Sequence, residues 1–250
     1  MTESDTSKNE EPSARAFATT RWSQVLAAGA GDVNLSREAL AELCRTYWYP
    51  LYAFARRKGH SSQDAEDLCQ EFFLRLLEHD WLARADRSRG RFRTFLLTML
   101  TRFMANEWDK ASRQKRGGHL RRLPLAIDDA ERRFSREPID SGTPEQQFER
   151  QWALTVLDRV LDRLQADYAQ RDQATLFEAL KPSLVGSREV QPYQRLAADL
   201  GMTEGSVKVA VHRLRQRYRQ QLLDEISQTV TSPEEAESEL RHLFRVLARA

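Results

Sequence analysis

The 250-residue chain lacks several features that mark familiar classes of protein. It has only two cysteines, Cys44 and Cys69, with no close pairing motif, so a disulfide framework is excluded and both thiols are expected to be reduced core residues. The five histidines have no metal-ligand spacing among themselves or with the cysteines, so no metal site is expected. No Gly-rich phosphate loop or nucleophile elbow is present, and the sequence therefore predicts no cofactor and no catalytic residue.

Long apolar runs and a large net charge are also missing. The longest apolar stretch, residues 95–100, is far too short to span a bilayer, and the polar, acidic N-terminus has no signal peptide. We therefore expect a cytoplasmic protein with no membrane partner. The net charge is only +2, but residues 84–122 hold twelve Lys and Arg against three acids, and residues 188–220 hold seven against three. Local net charges of +9 and +4 indicate two contacts with a polyanion.

Strand signals are scarce and helical periodicity dominates, which predicts an all-α fold. We expect two small helical domains joined by a linker, the second containing a helix-turn-helix. The predicted boundaries are a disordered tail at 1–16, a first helical domain at 17–118, a linker at 119–142, a second helical domain at 143–226 and a C-terminal helical extension at 227–250. The linker is assigned because Pro124, Pro138 and Gly142 interrupt a segment with no sustained period.

Capping signals predict where several helices begin and end. Helices are expected over 22–28, 36–58, from 61 or 62 to 79, 92–116, from 144, 173–180 and from 233. Gly59 is predicted to end the second of these, and Ser61 or Ser62 to cap the third. Thr143 and Gln146 have the spacing of a capping box around Pro144.

The most informative segment is residues 196–219, which is typical of a short helix, a turn at Gly201 and a longer helix. In the longer helix an apolar face and a cationic face run side by side. The apolar positions are Val207, Val211, Leu214 and Tyr218, and the cationic ones are Lys208, His212, Arg215 and Arg219. A helix that packs by one side and offers cations on another suits the major groove of DNA. The alternative is an ordinary surface helix with a solvated basic side.

Two further faces carry polar patterns. After Ser61, Asp67, Gln70, Glu71 and Glu78 lie opposite the aromatic residues, preceded by Asp64 and Glu66. Taken alone they indicate a solvated face that favours the helix macrodipole, with a docking surface for a basic partner as the alternative. The helix after Arg91 exposes Thr94, Thr98, Thr101, Arg102 and Asn106, and the arginines 87, 89, 91 and 93 precede it or begin it. Such cations suit single-stranded nucleic acid, with Trp81 as a candidate stacking group and Trp108 better explained as core.

Three segments, residues 64–75, 92–96 and 196–219, resemble in order and spacing the extracytoplasmic-function (ECF) sigma factors of bacterial RNA polymerase. The resemblance spans about residues 17–226, apart from the linker. It implies a non-catalytic factor that binds core polymerase and directs it to specific promoters. The first domain would be sigma region two and the second sigma region four. An anti-sigma factor as a further partner is left open.

The resemblance also implies roles for particular residues. An acidic face would dock on the β′ clamp helices of the polymerase, through Asp64, Glu66, Asp67, Gln70 and Glu71. The −10 element would be read and melted by Trp81, Arg91, Arg93, Thr98, Arg102 and Asn106. The −35 element would be read in the major groove by Ser206, Lys208, His212, Arg213, Arg215 and Arg219, with the β flap as a further polymerase contact.

Other interpretations of the residues stay open. The chain could be a stand-alone helix-turn-helix regulator whose N-terminal domain senses a signal or dimerises. An enzyme is disfavoured because Asp64, Glu66 and Asp67 are not joined by a histidine or by a second carboxylate cluster. The C-terminal helix from Pro233 either covers the DNA-binding face or is a packing element. Its stripe of Leu240, Leu243, Phe244 and Leu247 favours packing.

Overall fold

Helices form the regular structure in the described part of the chain. The computed structural model describes residues 33–78, 91–111, 127–137, 142–184, 192–230 and 232–248. These ranges contain α1 (Val33–Arg57), α2 (Ser62–Glu78), α3 (Phe92–Ala111), α4 (Ile127–Arg136), α5 (Pro144–Ala169), α6 (Ala174–Leu180), a 3-10 turn (Lys181–Ser183), α7 (Tyr193–Leu200), α8 (Glu204–Ser227) and α9 (Pro233–Leu247). The all-α prediction is confirmed. None of these helices combines the length and apolar character needed to cross a membrane. The tail predicted at 1–16 and the helix predicted at 22–28 lie outside the described residues.

The predicted helix over 36–58 is observed as α1, which continues through Pro50 and ends just before Gly59. Gly59 has φ 97°, a left-handed conformation that glycine adopts without steric cost. The Gly59 N–H donates to the Arg56 carbonyl at 3.0 Å, and the His60 N–H donates to the Ala55 carbonyl at 3.3 Å. These two bonds form the Schellman motif, so the predicted C-terminal cap is confirmed.

A buried aromatic interior holds α1, α2 and α3 together. Tyr47 of α1 meets Phe92 of α3 edge to face, with ring centroids 5.3 Å apart. Phe72 of α2 contacts Phe103 of α3 at 6.0 Å. Ser61 caps α2, because its hydroxyl oxygen accepts the Asp64 N–H at 3.1 Å. The buried interior therefore fixes which sides of α2 and α3 face outward.

A helix, α4, occupies residues 127–136 of the segment predicted to be a linker, where no helix is expected from the sequence. This corrects the sequence interpretation, which found no sustained apolar period there. Ala130 and Phe134 pack this helix against the buried interior, and polar side chains tie it to α1. The Glu131 carboxylate accepts hydrogen bonds from Arg56 Nε at 3.1 Å and Nη2 at 3.0 Å, and from the Tyr52 hydroxyl.

The C-terminal end of α4 is anchored in the same way. Glu137, which follows the helix, accepts hydrogen bonds from the Tyr49 hydroxyl and from Arg57 Nη2, the latter at 2.5 Å. The Phe134 ring lies beneath two guanidinium groups, with its centroid 4.9 Å from Arg56 Cζ and 5.2 Å from Arg57 Cζ. Burial and the Glu137 hydrogen bond both raise the pKa of Tyr49 above its usual range, so this phenol stays protonated and donates.

Residues Thr143 and Gln146 start the central helix α5 as the capping box predicts. The Gln146 N–H donates to the Thr143 hydroxyl oxygen at 3.2 Å, and the Thr143 N–H donates to the Gln146 side-chain oxygen at 3.0 Å. Two backbone donors that would otherwise lack partners at the helix N-terminus are therefore satisfied.

Helix α5 packs against α1, α6, α8 and α9. At its contact with α1, Phe148 meets Phe54 edge to face, with ring centroids 6.5 Å apart and both side chains essentially inaccessible to solvent. The two helical units predicted from the sequence therefore share one buried interior. The predicted boundaries at 118 and 143 stay predictions.

Helices α7 and α8 are joined by a short turn at Gly201, in the predicted order. Gly201 is the left-handed C-terminal cap of α7, with φ 61°. Thr203 then caps α8, because its hydroxyl oxygen accepts the Ser206 N–H at 3.1 Å. The apolar face predicted for α8 packs inward: Val207, Val211 and Leu214 are buried and Tyr218 is half-buried. Use of this helix pair as a DNA-binding motif stays a prediction.

Helix α9 lies in the predicted C-terminal extension and packs against α5 and α8. Its buried side is made by Ala236, Leu240 and Leu243. The predicted stripe is only partly right, because Phe244 is 50% exposed.

Candidate functional site

The acidic surface is the set of α2 residues predicted to dock on a partner: Asp64, Glu66, Asp67, Gln70 and Glu71. Asp64 and Asp67 are exposed, and Glu66 and Glu71 are half-buried. The carboxylates lie toward solvent because the opposite side of α2 packs Phe72, Phe73 and Leu76 into the interior. Four members of the set can therefore be approached by a partner.

Gln70 and Glu71 depart from that expectation. Gln70 is 1% exposed, and its side-chain N–H donates to Glu66 Oε1 at 3.1 Å, so its position does not support a contact with a partner protein. Glu71 accepts a hydrogen bond from Arg75 Nε at 2.7 Å, and Arg75 also pairs with Glu107 of α3 at 3.2 Å. Glu71 thus joins a bridge between α2 and α3, and the exposed carboxylates of the surface are Asp64 and Asp67.

The outer face of α3 presents Thr94, Thr98, Thr101, Arg102 and Asn106, all of them exposed as predicted. Thr98 Oγ1 donates to the Thr94 carbonyl at 2.8 Å, and a matching bond joins Thr101 to the preceding turn. The hydroxyl protons of Thr98 and Thr101 are committed to the helix backbone, whereas Arg102 and Asn106 offer exposed N–H donors. Trp81 lies outside the described residues.

Arg91 and Arg93, both expected to contact the −10 DNA, are paired with acids of other helices. Arg93 Nε donates to Glu149 Oε2 at 2.7 Å, and Nη1 donates to Glu239 of α9. Arg91 forms an ion pair with the same Glu239. The Arg93 guanidinium lies over the Trp152 ring, 4.4 Å from its centroid. With only 3% of its side chain exposed, Arg93 cannot reach a DNA phosphate here, which corrects its expected position.

His242 of α9 completes this arrangement, which we call the arginine cluster: Arg91, Arg93, Glu149, Glu239 and His242. His242 Nε2 lies 2.8 Å from the Glu149 Oε2 atom. Burial lowers the pKa of His242, and Arg93 and Arg91 lower it further, while the Glu149 carboxylate opposes them. Burial also lowers the pKa of Arg93 against the opposing charge of Glu149, but a guanidinium keeps its proton at any physiological pH.

The basic face of α8 is the set predicted to read the −35 element. All of its members are exposed: Ser206, Lys208, His212, Arg213, Arg215 and Arg219. The N-terminal part of the helix is fixed by its Thr203 cap, and Val207 and Val211 anchor the opposite side. Lys208 pairs with Glu204 at 2.7 Å, and this hydrogen bond raises the Lys208 pKa.

Two arginines of the basic face also contact other parts of the chain. Arg215 donates to the Ser183 carbonyl from Nε at 3.3 Å and from Nη2 at 3.0 Å. Arg219 Nη2 donates to Glu237 Oε1 of α9 at 2.7 Å. Both side chains remain open to solvent on another side, so a ligand can still approach them in this arrangement.

A groove of about 630 Å³ lies beside the basic face, between α8 and the start of α6. Its apolar lining includes Leu176, Met202 and Val209, and Val209 is 49% exposed. Arg213 and Arg217 line it as well. The groove therefore combines apolar contact area with positive charge.

Comparison with known proteins agrees with this geometry. Residues 43–114 match the family Sigma-70 region 2, and this segment contains α2 and α3. Among curated proteins, the chain is 26% identical over 191 residues to the ECF RNA polymerase sigma factor SigE of Mycolicibacterium smegmatis. That alignment covers 76% of this chain but only 64% of the relative, less than two thirds of its length. No solved structure gives a significant match. The resemblance to ECF sigma factors expected from the motifs is confirmed.

The residues that sequence reasoning missed are the acids facing the arginines. No role is predicted for Glu149 from the sequence, and Glu237 and Glu239 belong to a helix whose prediction depends on its apolar stripe. The sequence did carry a weak signal, because α9 has four acids in its first seven residues. Their partners are so distant along the chain, 146 positions for Arg93 and Glu239, that no local pattern connects them.

Proposed function

We propose that the chain is a sigma factor that binds core RNA polymerase and directs it to specific promoters. The observation that carries the proposal is the match of residues 43–114 to Sigma-70 region 2, together with a second basic helix in the order expected for region four. The relative from Mycolicibacterium smegmatis supports the same function. The protein would have no catalytic activity and would act in the cytoplasm beside the polymerase.

The acidic surface of α2 is proposed to dock on the β′ clamp helices. Support comes from the exposure of Asp64 and Asp67 on a helix whose other side is fixed by buried aromatic residues. Exposed carboxylates on a rigid helix increase the rate of association with a basic partner and disfavour misaligned complexes. Glu66 and Glu71 would add charge at the margin of this contact.

The outer face of α3 is proposed to contact the melted −10 element. Melting takes a base out of the stack, which costs a few kcal/mol and must be offset by backbone and base contacts. Arg102 and Asn106 are exposed and offer donors for those contacts, and Thr98 keeps acceptor capacity on its hydroxyl oxygen. Trp81 is proposed as a stacking group.

The basic face of α8 is proposed to enter the major groove at the −35 element. Arginine can pair with guanine edges, while Lys and Arg also hold phosphates. The adjoining groove between α6 and α8, with Met202 and Val209 in its lining, offers apolar area for a polymerase element such as the β flap.

The proposal is tested by mixing the purified chain with bacterial core RNA polymerase. We expect co-elution on size exclusion, followed by run-off transcription from a subset of a promoter library that shares −35 and −10 sequences. Absence of both would reject the sigma function. Selective binding to a palindromic duplex without polymerase capture would identify a stand-alone regulator instead.

The docking surface is tested by a single charge reversal with a matched control. Asp67→Lys should lower affinity for core polymerase by at least about tenfold, because it brings a like charge to a basic surface. Glu178→Lys makes the same charge change at an exposed position of α6 and should leave capture unchanged. Circular dichroism should show equal helix content in both variants. Equal capture by both would refute the docking role of Asp67.

A further inference from the structure

Helix α9 contacts the basic face of α8 and also two arginines at the start of α3, next to the outer face proposed to contact DNA. Its Glu239 pairs with Arg91 and Arg93 at the start of α3. Two residues earlier, its Glu237 pairs with Arg219 on α8 at 2.7 Å. One helix therefore supplies carboxylates to arginines that stand more than 100 positions apart in the chain.

The contact at Glu239 withdraws a cation from solvent. The side chains of Arg93 and Glu239 are 3% and 4% exposed, and Arg93 lies between Glu239 of α9 and Glu149 of α5. While α9 is docked, a phosphate cannot reach this guanidinium. Arg91 keeps 38% of its side chain exposed, but its Nε is directed to Glu239.

A carboxylate and a DNA phosphate compete for the same donors. Both accept charge-assisted hydrogen bonds from a guanidinium, and arginine binds either with the same planar fork. The apolar side of α9 that holds it in place is small, with Ala236, Leu240 and Leu243 buried and Phe244 half exposed. The ion pairs are thus a substantial part of the docking of α9, and a polyanion that takes the arginines weakens that docking directly.

We propose that α9 is an autoinhibitory segment that competes with DNA for Arg91, Arg93 and Arg219. When α9 is docked, its Glu239 is paired with Arg91 and Arg93, and its Glu237 is paired with Arg219. DNA binding displaces the helix, and loss of the helix raises DNA affinity. The biological meaning of this competition rests on the proposed sigma function, whereas the competition itself is measured on the chain and DNA alone.

The test compares two double variants of the full chain that change the net charge equally. Glu237→Gln with Glu239→Gln removes both carboxylates that face the arginines. The control variant, Asp224→Asn with Glu234→Gln, removes two exposed acids that do not face these arginines. Asp224 accepts a hydrogen bond from Gln220, and Glu234 interacts with the N-terminus of α9. The readout is the dissociation constant for a fluorescent single strand and a fluorescent short duplex, measured by anisotropy over a range of salt concentrations.

We expect the dissociation constant of the first variant to be at least about tenfold lower than that of the control variant. A tenfold difference is expected if α9 is docked in about 90% of the control molecules and only the undocked molecules bind DNA. The affinity of the first variant should also fall more steeply with salt. The slope of log K against log salt concentration should be larger in magnitude by about 0.7 to 0.9 for each additional phosphate that the protein neutralises. Equal affinities and equal slopes for the two variants would overturn the proposal.

A measurement on the wild-type chain covers the case in which the first variant does not fold. Hydrogen exchange of the α9 amides, residues 236–247, should accelerate when saturating single-stranded DNA is added, while the amides of α5 stay protected. Unchanged protection of α9 in the DNA complex would overturn the proposal. A chain that fails to support transcription with core polymerase rejects the sigma function, but the DNA comparisons still decide whether α9 competes.

Discussion

Arg215 is tied to Ser183 by two hydrogen bonds that run from its guanidinium to one carbonyl oxygen. The donors Nε and Nη2 lie 3.3 and 3.0 Å from that oxygen. The 3-10 turn that precedes α7 therefore holds a side chain in the middle of the basic face of α8. A preset side chain loses less rotamer freedom on binding, which would favour the contact with DNA proposed for Arg215.

Arg215→Ala is predicted to weaken −35 recognition by about 1–3 kcal/mol if the side chain reads a base edge. Run-off competition between promoters that differ only in the −35 element measures this preference. Arg217→Ala is the control, because Arg217 lies on the same helix but over the Tyr168 ring, 5.5 Å from its centroid. A uniform loss over all −35 sequences would mean that Arg215 holds a phosphate instead.

Gly201 and Gly205 form a matched pair for testing the turn between α7 and α8. Gly201→Ala should destabilise the fold by about 1–2 kcal/mol, because φ is 61° and the cost is one of backbone conformation alone. No atom lies within 4 Å of the added Cβ. Gly205→Ala lies in the first turn of α8, where the added Cβ meets Thr203 Oγ1 at an ordinary 3.9 Å, and should stabilise by up to about 0.5 kcal/mol. Urea unfolding measures both changes, and the same sign for both would contradict this account.

Glu225 is predicted to contribute strongly to the contact between α5 and α8. It is 5% exposed and accepts hydrogen bonds from Arg159 at 3.3 Å and from Arg163 at 2.8 Å. Glu225→Gln should lower the free energy of unfolding by about 1–3 kcal/mol, since a charged acceptor is lost beneath two guanidinium groups. Asp224→Asn, at the exposed neighbouring position, should change it by less than about 0.5 kcal/mol. If urea denaturation shows a similar loss of unfolding free energy for both variants, the buried ion pair of Glu225 does not stabilise this contact.

His242 is predicted to make stability depend on pH. Burial, with Arg93 and Arg91 nearby, lowers its pKa in the folded state below the ordinary 6.5, despite the opposing carboxylate of Glu149. The unfolded chain therefore binds more protons between the two pKa values, and the free energy of unfolding falls as the pH drops below about 6.5.

His242→Gln should remove that part of the pH dependence. Thermal unfolding between about pH 7 and pH 5 should show a shallower slope than in the wild type. His212→Gln, the same substitution at an exposed position of α8, is measured beside it. If both variants follow the wild type, His242 has the same pKa in the folded and unfolded states.

Local chemistry predicted much of the helical framework. The capping box at Thr143 and Gln146, the left-handed Gly59 and Gly201, and the inward face of α8 each depend on residues within one or two turns. These signals are readable in sequence because donors, caps and periodic apolar positions act over short distances.

Two of the failures involve partners that are far apart in the chain. Helix α4 is only ten residues long and has few apolar residues, and its Glu131 is bound by Tyr52 and Arg56 of α1, which lie 79 and 75 positions away. Arg93 was assigned to DNA because it is basic and lies beside other arginines, yet its carboxylate partners come from α5 and α9. A buried ion pair leaves no pattern along the sequence, because each member alone looks like a surface charge.

The contact between Phe54 and Phe148 has a thermodynamic consequence for the whole molecule. The two buried rings contact each other across the two halves of the chain, so separating the halves would remove an aromatic contact from each. Heating should therefore give one endotherm whose calorimetric and van't Hoff enthalpies agree. The surfaces proposed to contact the polymerase, the −10 strand and the −35 duplex would then form and disappear in a single cooperative event.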